Sequence, residues 1–106
     1  MPGSVRLSVL AKQDLDGIRD YTIERWGREQ WLVYYRSIVD AFHLLQLQPE
    51  AGKDRSLFAP NLRSFAVKRH LIFYRFDENS NEMVIARIVH QRQNLPALIY
   101  HDDLLS

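Results

Sequence analysis

Cysteine is absent from the sequence. That excludes a disulfide scaffold, a thiol nucleophile and any Cys-ligated zinc or iron–sulfur centre, and it suits a reducing compartment. Glycine is scarce, with four residues standing singly, so there is no glycine-rich phosphate loop. The four histidines, His43, His70, His90 and His101, are scattered, and no pair sits at ligand spacing beside a carboxylate. Ser, His and Asp all occur, but nothing resembles a nucleophile elbow. Neither a metal nor a cofactor is therefore expected. No apolar run approaches the ~18 residues that span a bilayer. The first six residues show no apolar signal core behind Arg6, and the expectation is a cytoplasmic protein. The chain is short, at 106 residues with 46% hydrophobic and 25% charged, the profile of one soluble domain with a modest core. A cofactor fold with a separate substrate domain does not fit.

The formal charge of +1 is an average over uneven halves. Residues 1–50 carry six basic and seven acidic side chains, net −1. From Lys53 to Tyr74 the basic residues Lys53, Arg55, Arg63, Lys68 and Arg69 face only Asp54, five against one, net +4. Such a stretch is either a patch for phosphates or an acidic surface, or a solvated strand face.

Val5, Leu7 and Val9 alternate with polar residues and read as a short strand, with Ser8 placed to cap the helix that follows. Leu15, Ile18, Thr22 and Trp26 recur at helical steps and predict a helix from about Leu10 to Trp26. Gly27 ends it. A second helix runs from Arg28 to about Leu47 with a stripe of Trp31, Tyr34, Tyr35, Ile38, Ala41, Phe42 and Leu45, and Pro49 and Gly52 stop it. One glycine between two helices predicts an antiparallel hairpin. Glu50 to Asn61 reads as a loop. Leu62 to Val67, Leu71 to Phe76 and Met83 to Val89 read as strands, with the polar turn Asp77 to Glu82 between the last two. The order is β-α-α-β-β-β, an α+β domain with an antiparallel sheet and the helical hairpin on one face. The other face is expected to be open for binding. The chain reads as a single domain spanning 1–106 with a C-terminal tail, 95–106, whose Leu95 to Tyr100 stretch is apolar enough to dock.

Two features carry functional options. Arg87, His90 and Arg92 close the last strand, and Arg63, Lys68, Arg69 and His70 lie on the basic middle strands. Arginine forks on phosphate and a histidine that moves a proton are the toolkit of a metal-free ribonuclease. The alternative is that Arg87 and His90 are the polar ends of a buried strand, bonded to loop carbonyls. On the second helix, Trp31 to Tyr35 is apolar at five successive positions, more than one helix face needs. Two or three of these point away from the sheet, either under the first helix or into an exposed groove for a partner segment.

The pieces Leu7-x3-Ala11-x2-Asp14-Leu15-x2-Ile18, Tyr21-Thr22, Trp26-Gly27-x2-Gln30 with Tyr35, Pro49-x2-Gly52, Leu62-Arg63-Ser64-Phe65, His70 to Arg75 and Arg87 to Arg92 stand in order over most of the chain. Together they resemble the ParE toxins of the RelE/ParE superfamily, the toxic half of type II toxin–antitoxin (plasmid stabilisation) modules. Two positions depart from that pattern: Arg69 stands where a small residue is common, and Asn94 where Asp is usual. The resemblance implies the same β-α-α-β-β-β fold and a bacterial, cytoplasmic, non-enzymatic toxin. It implies inhibition of DNA gyrase and neutralisation by a ParD-like antitoxin, with no sequence-specific contact to nucleic acid. It puts target contact on Arg63, Lys68, Arg69, Arg87, His90 and Arg92. Antitoxin contact falls on Tyr21, Trp31, Tyr34, Tyr35 and Ile38. The alternative branch, ribosome-dependent mRNA endonucleases similar to RelE, would use Arg63, Arg87 and His90 catalytically. Nucleases of that superfamily that end in His-Tyr differ here, since Gln91 follows His90.

Overall fold

The computed structural model describes residues 4–92; Asn94 and the tail 95–106 lie outside them. The elements are β1 (Val5–Leu7), α1 (Val9–Trp26), α2 (Arg28–Leu47), a 3-10 turn at Pro49–Ala51, β2 (Lys53–Asp54), β3 (Arg63–Val67), β4 (His70–Asp77) and β5 (Glu82–His90). The strands form one sheet in the order β1-β5-β4-β3-β2.

The expected α+β arrangement is present, with an antiparallel β3-β4-β5 meander. The first strand enters it parallel, Val5 opposite Met83 and Leu7 opposite Ile85, because the helical hairpin carries the chain across the sheet before the meander begins. Ser8 does two jobs at this entry. Its Oγ accepts the Ala11 N–H at 3.0 Å, capping α1, and donates to the Ala86 carbonyl at 2.7 Å. Helix start and last strand are thereby joined.

On α1 the buried face is Ala11, Ile18 and Thr22. Trp26, expected on the same face, is instead 62% exposed, because the buried stretch of α1 ends one turn earlier. Gly27 takes φ +92°, a region that side-chain-bearing residues avoid. Its N–H caps Ile23 O, and its carbonyl accepts the Trp31 N–H. One residue thus closes α1 and opens α2. On α2 the buried stripe is Trp31, Ile38, Ala41, Phe42 and Leu45. Within the five-residue apolar run, Leu32, Val33 and Tyr35 face solvent.

Two expectations need correction. The stretch Glu50–Asn61 is not all loop: Lys53 and Asp54 pair with Ser64 and Arg63 as a short edge strand. Nor is the second sheet face left open, since Phe58, Ala59 and Leu62 fold over it and pack with Leu71, Phe73, Ala86 and Val89. Alternate side chains of a strand go to opposite faces, so β4 sends Leu71 and Phe73 to this small core. Ile72 and Tyr74 go to the main one under the helices. The unbroken apolar run of β4 is a strand buried on both sides.

A candidate partner-binding groove

Asp14 fixes one wall of the groove. β1 ends opposite Ile85, so β5 has no strand neighbour on that side at Ile88. The Asp14 carboxylate takes the place of one, accepting the Ile88 N–H at 2.9 Å. The same carboxylate accepts two bonds from Arg87, Nε at 2.8 Å and Nη2 at 3.0 Å. The two side chains are only 16% and 14% exposed. A two-point fork on a nearly dry carboxylate is a strong, geometrically fixed pair.

The opposite wall is the β3–β4 turn. Val67 pairs with His70, leaving Lys68 and Arg69 as a two-residue connection. Lys68 sits at φ +52°, in the left-handed region where such tight hairpins usually place glycine or asparagine. Gln91 pins the turn: its side-chain amide donates to Lys68 O at 2.7 Å and its N–H to Arg69 O at 2.9 Å.

The floor holds an aromatic and imidazole chain. His70 lies directly opposite His90, with ring centroids 5.3 Å apart and nearly perpendicular. The Tyr34 hydroxyl bonds Val67 O at 3.2 Å and also His70 Nδ1. One hydroxyl proton serves both only if it goes to the carbonyl and the imidazole N–H donates to the phenol oxygen. Burial pushes His70 down to about 4, helped by the neighbouring His90 and opposed by Asp14, so this imidazole is neutral near pH 7. Burial raises the Tyr34 hydroxyl. The Lys68 ammonium lies 5.6 Å from the Tyr34 ring centroid. The Arg92 N–H donates to His90 Nδ1 at 3.1 Å.

Between these walls runs a groove of about 790 Å³, bordered by Ile18, Tyr21 and Trp26 of α1, Gln30 and Tyr34 of α2, and the Lys68–His70 turn. It gathers residues of both predicted groups: Tyr21 and Tyr34 from the antitoxin set, Lys68, Arg69 and His90 from the target set. Arg92 is exposed, two residues beyond the groove's His90. Other predicted residues lie elsewhere. Ile38 is fully buried and Trp31 is 8% exposed, so both are core and offer no surface. Their apolar character and helical spacing are the same whether a side chain packs inward or binds a partner. Tyr35 is on the outer side of α2, 5.3 Å from the Trp31 ring.

The trio Arg63, Arg87 and His90 is not assembled. Arg87 is held by Asp14, a helix carboxylate rather than the loop carbonyl expected. Arg63 is at the far end of β3, donating to Gly52 O at 3.0 Å. It borders a second, larger trough of about 1230 Å³. The buried Tyr74 hydroxyl there donates to Pro49 O and accepts the Gly52 N–H, both at 2.8 Å. Sequence reasoning missed Trp26 and Gln30 as groove residues, although both belong to the quoted Trp26-Gly27-x2-Gln30 motif. Among the described residues no cluster of three or more His, Asp or Glu is placed to hold a metal ion. None of their helices is long and apolar enough to cross a membrane.

The family model described as "ParE toxin of type II toxin-antitoxin system, parDE" matches residues 5–95. Toxin ParE1 of Caulobacter vibrioides is 34% identical over 92 residues, 87% of this chain and 93% of that protein. Toxin ParE3 of the same organism is 37% identical over 84 residues, 79% and 82% of the two chains. Among solved structures, a chain of the chromosomal ParDE toxin–antitoxin system from P. aeruginosa superimposes with a TM-score of 0.69 at 25% identity, covering 84% of this chain and 96% of that one. A chain of the RelBE2 toxin–antitoxin complex from Mycobacterium tuberculosis shares the fold, with a TM-score of 0.60 at 23% identity over 86% and 100% of the two chains. The chain belongs to the ParE toxin family of type II toxin–antitoxin systems.

Proposed function

We propose that this protein is a bacterial, cytoplasmic toxin that inhibits DNA gyrase by binding it and is neutralised by a ParD-like antitoxin. The observation that carries the reading is the family match across residues 5–95. The ParDE system among the similar structures supports an antitoxin of the ParD kind. The whole chain, 1–106, acts as one unit in this reading.

The geometry narrows the residues. Tyr21, Tyr34 and Tyr35 have surface to offer an antitoxin. Lys68, Arg69 and Arg92 form a cationic end, with His90 beside them, that meets the target. Arg87 and Arg63 hold the fold: one joins α1 to β5, the other joins β3 to the Pro49–Gly52 turn. The dispersal of Arg63, Arg87 and His90 favours binding over phosphodiester cleavage, because acid–base catalysis needs its groups around one scissile bond.

Purified protein titrated into a gyrase supercoiling assay is expected to inhibit near one toxin per enzyme. Full supercoiling at a large excess of toxin removes the proposal. Cleavage of mRNA on programmed ribosomes, abolished by His90→Ala, would replace it with the endonuclease reading.

A further inference from the structure

Two large aromatic side chains border the groove without being used by the core: Tyr21 and Trp26 are 59% and 62% exposed. Exposed apolar surface that is grouped rather than scattered marks a binding site. Cations lie over two rings of the groove, Tyr21 and Tyr34. The Arg25 guanidinium carbon is 5.5 Å from the Tyr21 ring centroid, Lys68 stands over Tyr34, Arg69 lines the groove, and Arg92 is exposed two residues beyond its His90. The carboxylate that borders the groove, Asp14, is already paired with Arg87. Gln91 pins the backbone from which Lys68 and Arg69 extend.

We infer that the groove binds single-stranded nucleic acid, DNA or RNA, without sequence preference. Bases stack on Tyr21 and Trp26, and phosphates meet Lys68, Arg69 and Arg92. Flat aromatic faces interleaved with cations are what such a strand needs: every base has a π-face, and every linkage has a charge. A peptide of acidic residues alone, such as oligoglutamate, would satisfy the cations but leave the two rings without stacking partners. The inference does not rest on gyrase being the target.

The test uses the full chain with fluorescein-labelled oligothymidylate and oligouridylate of about twelve nucleotides. Anisotropy should report a dissociation constant of roughly 1–100 µM at low salt. Three phosphate contacts give a log–log salt slope of about −2. Trp31 is buried, so quenching of the tryptophan emission on binding reports stacking on Trp26. Trp26→Ala and Tyr21→Ala should each weaken binding about tenfold, with circular dichroism melts unchanged because both side chains are exposed. Lys68→Ala should flatten the slope by about 0.7. DNA-only or RNA-only binding would overturn the shared-chemistry assignment. So would the absence of binding at low salt, binding without tryptophan quenching, or undiminished affinity in the Tyr21/Trp26 double variant. Displacement at equal concentration by oligoglutamate of matched charge, with the same quenching, would assign the groove to an acidic peptide instead.

Discussion

Asp14→Ala removes the carboxylate that ties the first helix to the last strand. Three bonds go with it: two from Arg87 at 2.8 and 3.0 Å and one from the Ile88 N–H at 2.9 Å. What remains is a guanidinium 14% exposed that has lost its countercharge, and a β5 N–H without its acceptor. Breaking a fully buried ion pair by deleting one partner costs ~3–5 kcal/mol, and a stranded buried donor a further ~1–3 kcal/mol. Residual water at this edge and relaxation of Arg87 lower the total, so the expected loss is about 3 kcal/mol. For a domain of this size that is a fall in Tm of roughly 12–20 °C. Thermal and urea denaturation followed by circular dichroism measure it. The double variant separates the ion pair from the Ile88 bond. Asp14→Leu with Arg87→Met removes both charges, and should recover more than half of the loss, leaving mainly the Ile88 N–H unpaired. A single-variant loss below about 1 kcal/mol, or a strictly additive cycle, would refute the pair as the tie between α1 and β5.

Gly52→Ala should destabilise by about 2 kcal/mol or more, because its Cβ would lie 2.8 Å from Ser64 O and press on the Tyr74 hydroxyl; an unchanged Tm would show that the turn yields. His70 titrates near 4 when folded and near 6.5 unfolded. The unfolded chain therefore takes up the proton first, and His70 contributes stability that is complete above about pH 6.5 and lost as pH falls towards 4. Urea midpoints between these limits should fall less steeply for His70→Gln than for the native chain; equal slopes would exclude this role. Ser8→Ala should cost about 1 kcal/mol, read as a shift in urea midpoint at constant slope.

Local chemistry determined much of this protein. Ser8 as a cap, Gly27 as a one-residue break, the 3.6-residue stripe of α2 and the runs of β3 to β5 are instructions between residues close in the chain. They give the element order, and the order of quoted motifs gives the family. Lys53 and Asp54 show the limit, since their strand exists only through pairing with β3 and has no apolar pattern of its own. Periodicity finds which residues are apolar but not what covers them. Trp31 and Ile38 entered the core while Trp26 and Tyr35 did not, because the helices meet the sheet over part of their length. The arginines, lysine and histidine divided for a related reason. Lys68, Arg69, His90 and Arg92 meet where the β3–β4 turn abuts the end of β5. Arg87 was claimed by Asp14, 73 positions away in sequence. Pairings of that range depend on how strands align and where one strand stops, and only the folded chain decides them.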